Sequence, residues 1–229
     1  MQDLKGQAAL VTGASRGLGR AFAEALGARG AEVIAIARTV GALEELDDAI
    51  RAAGGPQATL VPLDITDDPA IERLGAAIHG RWGKLDLWIH AAVNDPPLSP
   101  AEHAADKDWD KAMAVNARAT QRLIRSLDPL LRLAPNGGGR AVFFDDRHNA
   151  GPFHGTYAAS KAAARAITTA WEAETARFPV TVLHLAPPPM PTGLRARFRP
   201  GEDRAALTAP RDVAAGMLAQ VLAASEAQA

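Results

Sequence analysis

The sequence contains no cysteine among its 229 residues, which excludes disulfide bonds and thiolate chemistry. A surplus of either charge is also missing, because the net charge is −1, and this argues against a nucleic-acid-binding surface. No apolar run is long enough to span a bilayer, and the first residues lack the apolar segment of a signal peptide. The histidines lack the paired spacing of a zinc site. We therefore expect a cytoplasmic protein without metal, membrane or nucleic-acid partners.

Tyrosine occurs once, at Tyr157, and Lys161 follows it four residues later. The residues around them are mostly alanine, which favours a helix, and positions four apart lie on one helix face. An ammonium group there favours the phenolate and lowers the phenol pKa from its ordinary value of about 10. We expect a proton-transferring pair. The alternative is an amphipathic helix with a half-buried tyrosine and a solvated lysine.

Glycines cluster in one turn near the N-terminus. The turn follows an apolar run from Ala8 to Val11 and precedes a helical pattern. Strand, glycine turn and helix form the context that a dinucleotide pyrophosphate needs, since glycines allow close backbone approach and the helix N-terminus offers unpaired N–H groups. The residues expected to hold the cofactor here are Gly13, Ser15, Arg16, Gly17, Leu18 and Gly19.

Apolar runs alternate with helical patterns along the chain. This alternation predicts parallel βαβ units and hence an α/β, doubly wound Rossmann fold in a single domain over residues 1–229. The predicted strands are Ala8–Val11, Val33–Ala37, Ala58–Pro62, Leu85–His90, Ala141–Phe144 and Val180–Leu185. The predicted helices are Gly17–Arg29, Gly41–Ala53, Pro69–Trp82, Trp109–Leu133, Thr156–Arg177 and Arg211–Ala224. Ligands bind at the carboxyl ends of the strands in such sheets.

Several separated motifs resemble the classical short-chain dehydrogenase/reductase family from about Leu4 to Val221. These motifs are Thr12-Gly13-x3-Gly17-x-Gly19, Asp64, Asn116, Tyr157-x3-Lys161 and the segment from Pro187 to Thr192. The resemblance implies a parallel sheet of six or seven strands with helices on both faces. The usual final strand of the family has no match, so we expect six strands. We also expect a homodimer, through the helices that begin near Trp109 and Thr156, rather than a tetramer.

The resemblance also implies roles for individual residues. Tyr157 would be the general acid or base, Lys161 would lower its pKa and hold the nicotinamide ribose, and Asn116 would support a proton relay. Asp64 would bind the adenine amino group; the alternative is a helix cap or turn aspartate. Further expected cofactor contacts are Ala91, Pro187 and Thr192. Residues 187–211 form the expected substrate loop.

The second strand ends in a basic residue where NAD-binding relatives of this architecture carry an acidic one. Arg38 stands at that place, and the glycine turn adds Arg16. Two guanidinium groups suit a ribose 2′-phosphate, because arginine offers planar, multidentate donors. We therefore predict NADP(H) as the cofactor. The alternative is that either arginine is an ordinary solvated residue.

The catalytic region departs from the family pattern. The family has a serine about thirteen residues before the tyrosine, whereas this chain has no Ser or Thr from Leu127 to Gly155 and carries Asp145 and Asp146 after the fifth strand. An ionised carboxylate only accepts hydrogen bonds and would oppose a developing alkoxide, whereas a protonated one could donate. These aspartates could equally be solvated turn residues. Other candidate donors are Thr156, His154, His148 and Asn149.

Two further segments differ from the family. His90-Ala91-Ala92-Val93 replaces Asn-Asn-Ala-Gly after the fourth strand, and we expect His90 to be a structural residue bonded to nearby backbone. Asn94 reads as a loop residue. Pro187-Pro188-Pro189 replaces Pro-Gly, and proline restricts φ and lacks an N–H, so a stiff lip beside the nicotinamide is expected.

Two functions are compatible with these features. The first is an NADP(H)-dependent oxidoreductase that acts on a small carbonyl or alcohol, and the retained Asn116, Tyr157 and Lys161 favour it. The second is an NADP(H)-binding protein with little or no turnover, a sensor or assembly partner. The missing serine and the altered segment at His90 favour this second function.

Overall fold

Six strands and eight α-helices make up the regular structure of the computed structural model, which describes residues 3–135, 138–146 and 149–224. The strands are β1 Ala8–Thr12, β2 Glu32–Ala37, β3 Thr59–Pro62, β4 Leu87–His90, β5 Gly139–Phe144 and β6 Val180–Leu185. The helices are α1 Gly17–Gly27, α2 Val40–Ala52, α3 Asp68–Trp82, α4 Asp106–Ala112, α5 Ala119–Leu131, α6 Gly155–Thr175, α7 Gly193–Phe198 and α8 Pro210–Ala223.

All strand pairs of the sheet are parallel, and the strand order is β3-β2-β1-β4-β5-β6. The order reverses between β1 and β4, which is the switch point where doubly wound sheets bind their ligands. The predicted single-domain Rossmann architecture with six parallel strands is confirmed.

The two faces of the sheet are covered by separate hydrophobic clusters. Along β1, Ala9 and Val11 point into one cluster, whereas Ala8 and Leu10 point into the other, as the two-residue period of a strand requires. Helices α1, α2 and α8 cover the first face, and helices α3, α5 and α6 cover the second. Because both faces are buried, the strands consist mainly of apolar residues.

The long helix predicted over Trp109–Leu133 is present but interrupted. It starts earlier, at Asp106, and passes through a π-helical segment, Met113–Arg118, between α4 and α5. The sequence prediction also missed α7, which is a short helix inside residues 187–211. A π-helical turn has little sequence signature, and tertiary contacts of its side chains hold it in place.

Candidate active site

A cavity of about 500 Å³ opens at the carboxyl ends of the strands. It extends from the β1–α1 turn, past the ends of β4 and β5, to α6 and α7. All residues that the sequence analysis assigned to the cofactor or to catalysis line this one cavity. They are Gly13, Ser15, Arg16, Gly17, Leu18, Gly19, Arg38, Asp64, Ala91, Asn116, Tyr157, Lys161, Pro187 and Thr192.

The glycine turn is pressed against neighbouring backbone at the mouth of the cavity. Gly13 has φ 72°, and a Cβ there would lie 2.7 Å from the backbone nitrogen of Ala92. A Cβ on Gly19 would lie 2.4 Å from the carbonyl oxygen of Gly13. No side chain caps α1, because the N-cap residue Arg16 is extended and makes no capping bond. The first N–H groups of α1 therefore fit the phosphates of a dinucleotide.

Two guanidinium groups line this cavity. Arg38 directly follows β2 and is 67% exposed, and its Nη1 lies 3.8 Å from Oδ2 of Asp64. Arg16 lies beside the start of α7, where a Cβ on Gly193 would be 3.7 Å from its Nη1. Both arginines are accessible from the cavity, as a 2′-phosphate would require.

Asp64 closes a local turn. Its Oδ1 accepts from the backbone nitrogen of Thr66 at 3.0 Å and from the Thr66 hydroxyl at 2.8 Å. Burial alone would raise the pKa of Asp64. The two bonds from Thr66 and the positive charge of Arg38 outweigh this effect, so the pKa of Asp64 is lowered overall. The cap of α3 is Asp67, not Asp64. The contacts of Asp64 are therefore those of a turn aspartate, and the residue also lines the cavity.

Tyr157 donates its hydroxyl to Asp146 at 3.0 Å from Oδ2. Asn149 donates to the same oxygen through Nδ2, at 2.7 Å. The neighbouring Asp145 pairs with Arg165 on α6. Neither aspartate is thus a freely solvated turn residue. Asn149, one of the other candidate donors, therefore bonds the Asp146 carboxylate.

The remaining candidate donors lie elsewhere. His154 is buried at the N-cap of α6, and its Nδ1 is 2.9 Å from the carbonyl oxygen of Pro152. Thr156 lies in the first turn of α6, one residue before Tyr157. His148 lies outside the described residues.

The expected lowering of the Tyr157 pKa is wrong for this structure. Burial raises the pKa of Tyr157, and the negative charges of Asp146 and Asp95 raise it further. Lys161 points its Nζ at the carbonyl oxygen of Phe144, 2.8 Å away. Burial lowers the pKa of Lys161 despite the charges of Asp146 and Asp145. The sequence prediction considered only the tyrosine and the lysine, whereas burial and the carboxylates of Asp146 and Asp95 dominate the pKa shift of Tyr157.

Asn116 ties the π-helical segment to the loop after β4. Its Oδ1 accepts from the backbone nitrogen of Asn94 at 2.7 Å, and its Nδ2 donates to the Asn94 carbonyl at 3.0 Å. The same Nδ2 is 2.9 Å from Oγ of Ser160, one residue before Lys161. Asn94 is therefore more than a loop residue, because its backbone positions Asn116 in the wall of the cavity.

His90 bonds two threonines rather than the nearby backbone that we expected. Its Nδ1 is 2.8 Å from Thr12 Oγ1, and its Nε2 is 2.9 Å from Thr120 Oγ1. The Thr120 hydroxyl donates to the carbonyl of Asn116, so Nε2 carries the proton and Nδ1 accepts from Thr12. Burial, with a contribution from the charge of Lys161, lowers the pKa of His90 to about 3. The predicted structural role agrees with this fully bonded, neutral ring.

The proline segment and α7 close the far side of the cavity. Thr192 caps α7 by accepting from the backbone nitrogen of Arg195 at 3.3 Å, and Gly17 lies beside it, since a Cβ there would be 3.5 Å from Thr192 Cγ2. Phe198 is buried, with its ring centroid 4.9 Å from that of Tyr157. Arg195 forms a two-pronged bond to Glu202. The segment that contains α7 therefore covers the phenol ring of Tyr157 through Phe198.

Within the described parts of the chain, no group of three or more His, Cys, Asp or Glu side chains is arranged to hold a metal ion. None of the helices in those parts is both long and apolar enough to cross a membrane.

Comparison with known proteins agrees with this geometry. The sequence matches the short chain dehydrogenase family over residues 7–203. It is 31% identical over 191 residues to sorbitol dehydrogenase of Cereibacter sphaeroides, covering 80% of this chain and 70% of the relative. It is also 31% identical over 203 residues to gluconate 5-dehydrogenase of Gluconobacter oxydans, covering 88% and 78%.

Solved structures show the same fold. A short chain dehydrogenase from Pseudomonas syringae superposes with a TM-score of 0.88 at 32% identity, over 94% of this chain and 88% of that one. A short chain dehydrogenase from Shigella flexneri complexed with NADP gives a TM-score of 0.87 at 29% identity, over 93% and 90%. The chain therefore belongs to the classical short-chain dehydrogenase/reductase family of nicotinamide-dependent oxidoreductases.

Proposed function

We propose that the protein is an NADP(H)-dependent oxidoreductase that transfers hydride between the nicotinamide and a carbonyl-type or alcohol-type carbon of a small molecule. The observation that carries the proposal is one continuous cavity with the glycine turn at one end and Tyr157 with Lys161 at the other. A bound nicotinamide supplies or accepts the hydride. The raised pKa of Tyr157 keeps the phenol protonated near neutral pH, but it also makes that phenol a weaker acid than an ordinary tyrosine.

The preference for NADP(H) rests on Arg16 and Arg38. Both line the cavity, and in this proposal they bind the ribose 2′-phosphate, because guanidinium groups bind phosphate through paired, charge-assisted bonds. The carboxylate of Asp64 lies near Arg38 and offsets part of its positive charge. In this proposal Arg16 therefore shares the binding of the 2′-phosphate with Arg38. In this proposal Lys161 and Asn116 hold the ribose and the proton path beside Tyr157.

A second candidate is an NADP(H)-binding protein with little turnover. The bond from the Tyr157 hydroxyl to Asp146 favours it, because a carboxylate beside the reacting oxygen opposes the negative charge of an alkoxide. Steady consumption of NADPH with any small-molecule substrate would exclude this candidate.

Direct titration of the purified protein with NADPH and NADH, followed by reduced-nicotinamide fluorescence, tests the cofactor assignment. We expect micromolar binding of NADPH and binding of NADH weaker by about 10- to 100-fold, as lost phosphate bonds of about 1.5–3 kcal/mol imply. Equal binding of the two would contradict the roles of Arg16 and Arg38. Binding of neither would contradict the proposed function as a whole.

We further propose that the active form is a homodimer. Trp109 in α4 is 43% exposed in the single chain, which is unusual for so large an apolar ring at the start of a helix that packs on α6. Sedimentation at several concentrations checks this, and a Trp109→Glu variant should shift the population towards monomer.

A further inference from the structure

A continuous chain of hydrogen bonds between buried side chains runs behind the wall of the cavity. Its links are Thr12, His90, Thr120, Asn116 and Ser160. The chain begins at the last residue of β1, directly before the glycine turn, and ends near the start of α6. It therefore connects the turn that fits a pyrophosphate with the helix that carries Tyr157 and Lys161. We call it the buried chain.

The donors of the buried chain all point in the same direction. The Thr12 hydroxyl donates to Nδ1 of His90 at 2.8 Å, and Nε2 of His90 donates to Thr120 Oγ1 at 2.9 Å. The Thr120 hydroxyl donates to the carbonyl oxygen of Asn116 at 2.8 Å. Nδ2 of Asn116 then donates to Ser160 Oγ at 2.9 Å. Each link therefore both accepts and donates, and neighbouring bonds polarise one another.

Both ends of the buried chain are fastened to backbone. The Ser160 hydroxyl donates to the carbonyl oxygen of Tyr157 at 2.8 Å. At the other end, Thr12 Oγ1 accepts from the backbone nitrogen of Ala92 at 3.3 Å, and Ala92 lies against the glycine turn. Apolar side chains of the same shape could replace paired polar groups at little loss of stability, so stability alone does not account for this chain.

We propose that His90 is a positioning residue, which holds the glycine turn and α6 at the spacing that one NADPH molecule spans. The inference rests on the proposed NADP(H)-dependent function and adds a residue to it. NADPH would place its phosphates on the turn and its nicotinamide ribose at Lys161, so its affinity depends on the spacing of two separate elements. His90 joins the sheet to the helices, because a neutral imidazole accepts at one nitrogen and donates at the other.

Two ligands of different length distinguish positioning from a general loss of structure. NADPH spans both elements, whereas adenosine 2′,5′-bisphosphate is its adenosine half and reaches only the turn. His90→Phe keeps a ring but removes both bonds, and Thr120→Val cuts the next link at constant shape. Each should weaken NADPH binding by about tenfold and leave bisphosphate binding within about twofold. Thr120→Ser, which retains the hydroxyl, should restore NADPH affinity. Fluorescence measures NADPH binding, and calorimetry measures the bisphosphate.

Thr175→Val is the matched control. Thr175 is buried in α6, and its hydroxyl donates at 2.9 Å to the carbonyl oxygen of Trp171, four residues earlier, as the hydroxyl of Thr120 does to Asn116. Its bonds lie outside the buried chain, so Thr175→Val should bind both ligands as the wild type does.

A double-mutant cycle on the two end residues tests whether the chain acts as one unit. Thr12 and Ser160 are both 0% exposed, so neither is open to contact with a ligand. Thr12→Val and Ser160→Ala should each weaken NADPH binding by about tenfold, and the double variant by no more than about twofold further, because either change already breaks the chain. Thr12→Val and Thr175→Val should instead combine additively.

Three results would overturn the inference: chain variants that bind NADPH like the wild type, equal losses of NADPH and bisphosphate affinity, or losses that multiply in the cycle. Denaturant midpoints show whether each variant is folded, and Ser160→Ala provides the same two-ligand test if Thr120→Val does not fold. A wild type that binds neither ligand would instead overturn the proposed function, so the two failures are distinct.

Discussion

The two ends of the cavity, the proposed cofactor end at the β1–α1 turn and the proposed reaction end at Tyr157, differ in how closely they follow the family pattern. At the cofactor end, the β1–α1 turn retains the family glycines, and their backbone contacts leave no space for a side chain at Gly13 or Gly19. At the reaction end, His90 and Asp146 replace residues that the family pattern prescribes, although Tyr157 and Lys161 remain. The first end is determined by backbone geometry and the second by side-chain chemistry.

This difference separates binding from substrate choice. A phosphate turn works through N–H groups and the helix dipole, so it tolerates little change. A reacting group is stabilised by a few side chains, and one substitution can exchange a donor for an acceptor while the fold persists. Cofactor binding should therefore respond to changes at the first end, and substrate preference to changes at the second.

The largest expected effect comes from Gly13→Ala. The new Cβ would lie 2.7 Å from the Ala92 backbone nitrogen at a residue with φ 72°, so the turn and the loop after β4 must move apart. We expect NADPH affinity to fall by more than about 100-fold, together with a loss of about 2–4 kcal/mol in unfolding free energy. Fluorescence titration and denaturant unfolding measure the two effects. Unchanged affinity would show that the turn does not bind the phosphates.

His90→Asn tests the reaction end by acid unfolding. The folded pKa of His90, about 3, is below the ordinary value of about 6.5, so the unfolded chain binds more protons between these values. The contribution of His90 to the free energy of unfolding is fully present above pH 6.5 and is lost as the pH falls towards 3. The loss amounts to roughly 3 kcal/mol by about pH 4.

The variant should therefore lose less stability than the wild type between about pH 6.5 and 4, as denaturant midpoints across that range would measure. His103→Gln, at an exposed histidine, is the matched control and should follow the wild type. Parallel curves for the wild type and His90→Asn would contradict a buried, neutral His90.

Arg38→Asp sharpens the assignment of the cofactor end. The substitution places a carboxylate where a 2′-phosphate would lie and should weaken NADPH binding by about 10- to 100-fold while improving NADH binding. Arg211→Asp is the control, because Arg211 is 83% exposed beside Asp212 at the start of α8. If the Arg38 variant keeps the wild-type ratio of NADPH to NADH affinity, Arg38 does not determine the cofactor preference.

The smallest expected effect is at Gly216, in α8, away from both ends. It is exposed, and a Cβ there would meet no atom within 4 Å. Gly216→Ala should stabilise the protein by about 0.5–1 kcal/mol through helix propensity, with NADPH affinity unchanged. Urea unfolding measures the gain. The variant also serves as the control for Gly13→Ala. If both variants are destabilised by a similar amount, the effect at Gly13 does not come from the close backbone contacts of that glycine.

Sequence reasoning was sufficient for the features that depend on local periodicity. The six strands, the parallel βαβ units and the location of Tyr157 and Lys161 on one helix all follow from spacing. The fold and the family were predicted on this basis and are confirmed. The roles assigned to Arg38, Asn116 and the other site residues stay predictions.

The remaining features depend on contacts between distant segments. No spacing rule connects Thr12 and Thr120 to His90, or Asn94 to Asn116, because each pair meets only when the sheet has formed. The direction of the Tyr157 pKa shift was wrong for the same reason, since burial depends on α7 and Phe198, which the sequence did not reveal. The absence of Ser and Thr from Leu127 to Gly155 and the altered segment His90–Val93 were the sequence signals for the altered reaction end.

The single tyrosine, finally, makes the hydrogen bond between Tyr157 and Asp146 directly observable. Biosynthetic replacement of tyrosine by fluorotyrosine would introduce one fluorine nucleus, and it would lie in the cavity wall. Its resonance would report the protonation of the phenol, the charge of the neighbouring carboxylate and the arrival of each ligand. A single fluorine signal would thus report, without background, from the point where the sequence departs from the family pattern.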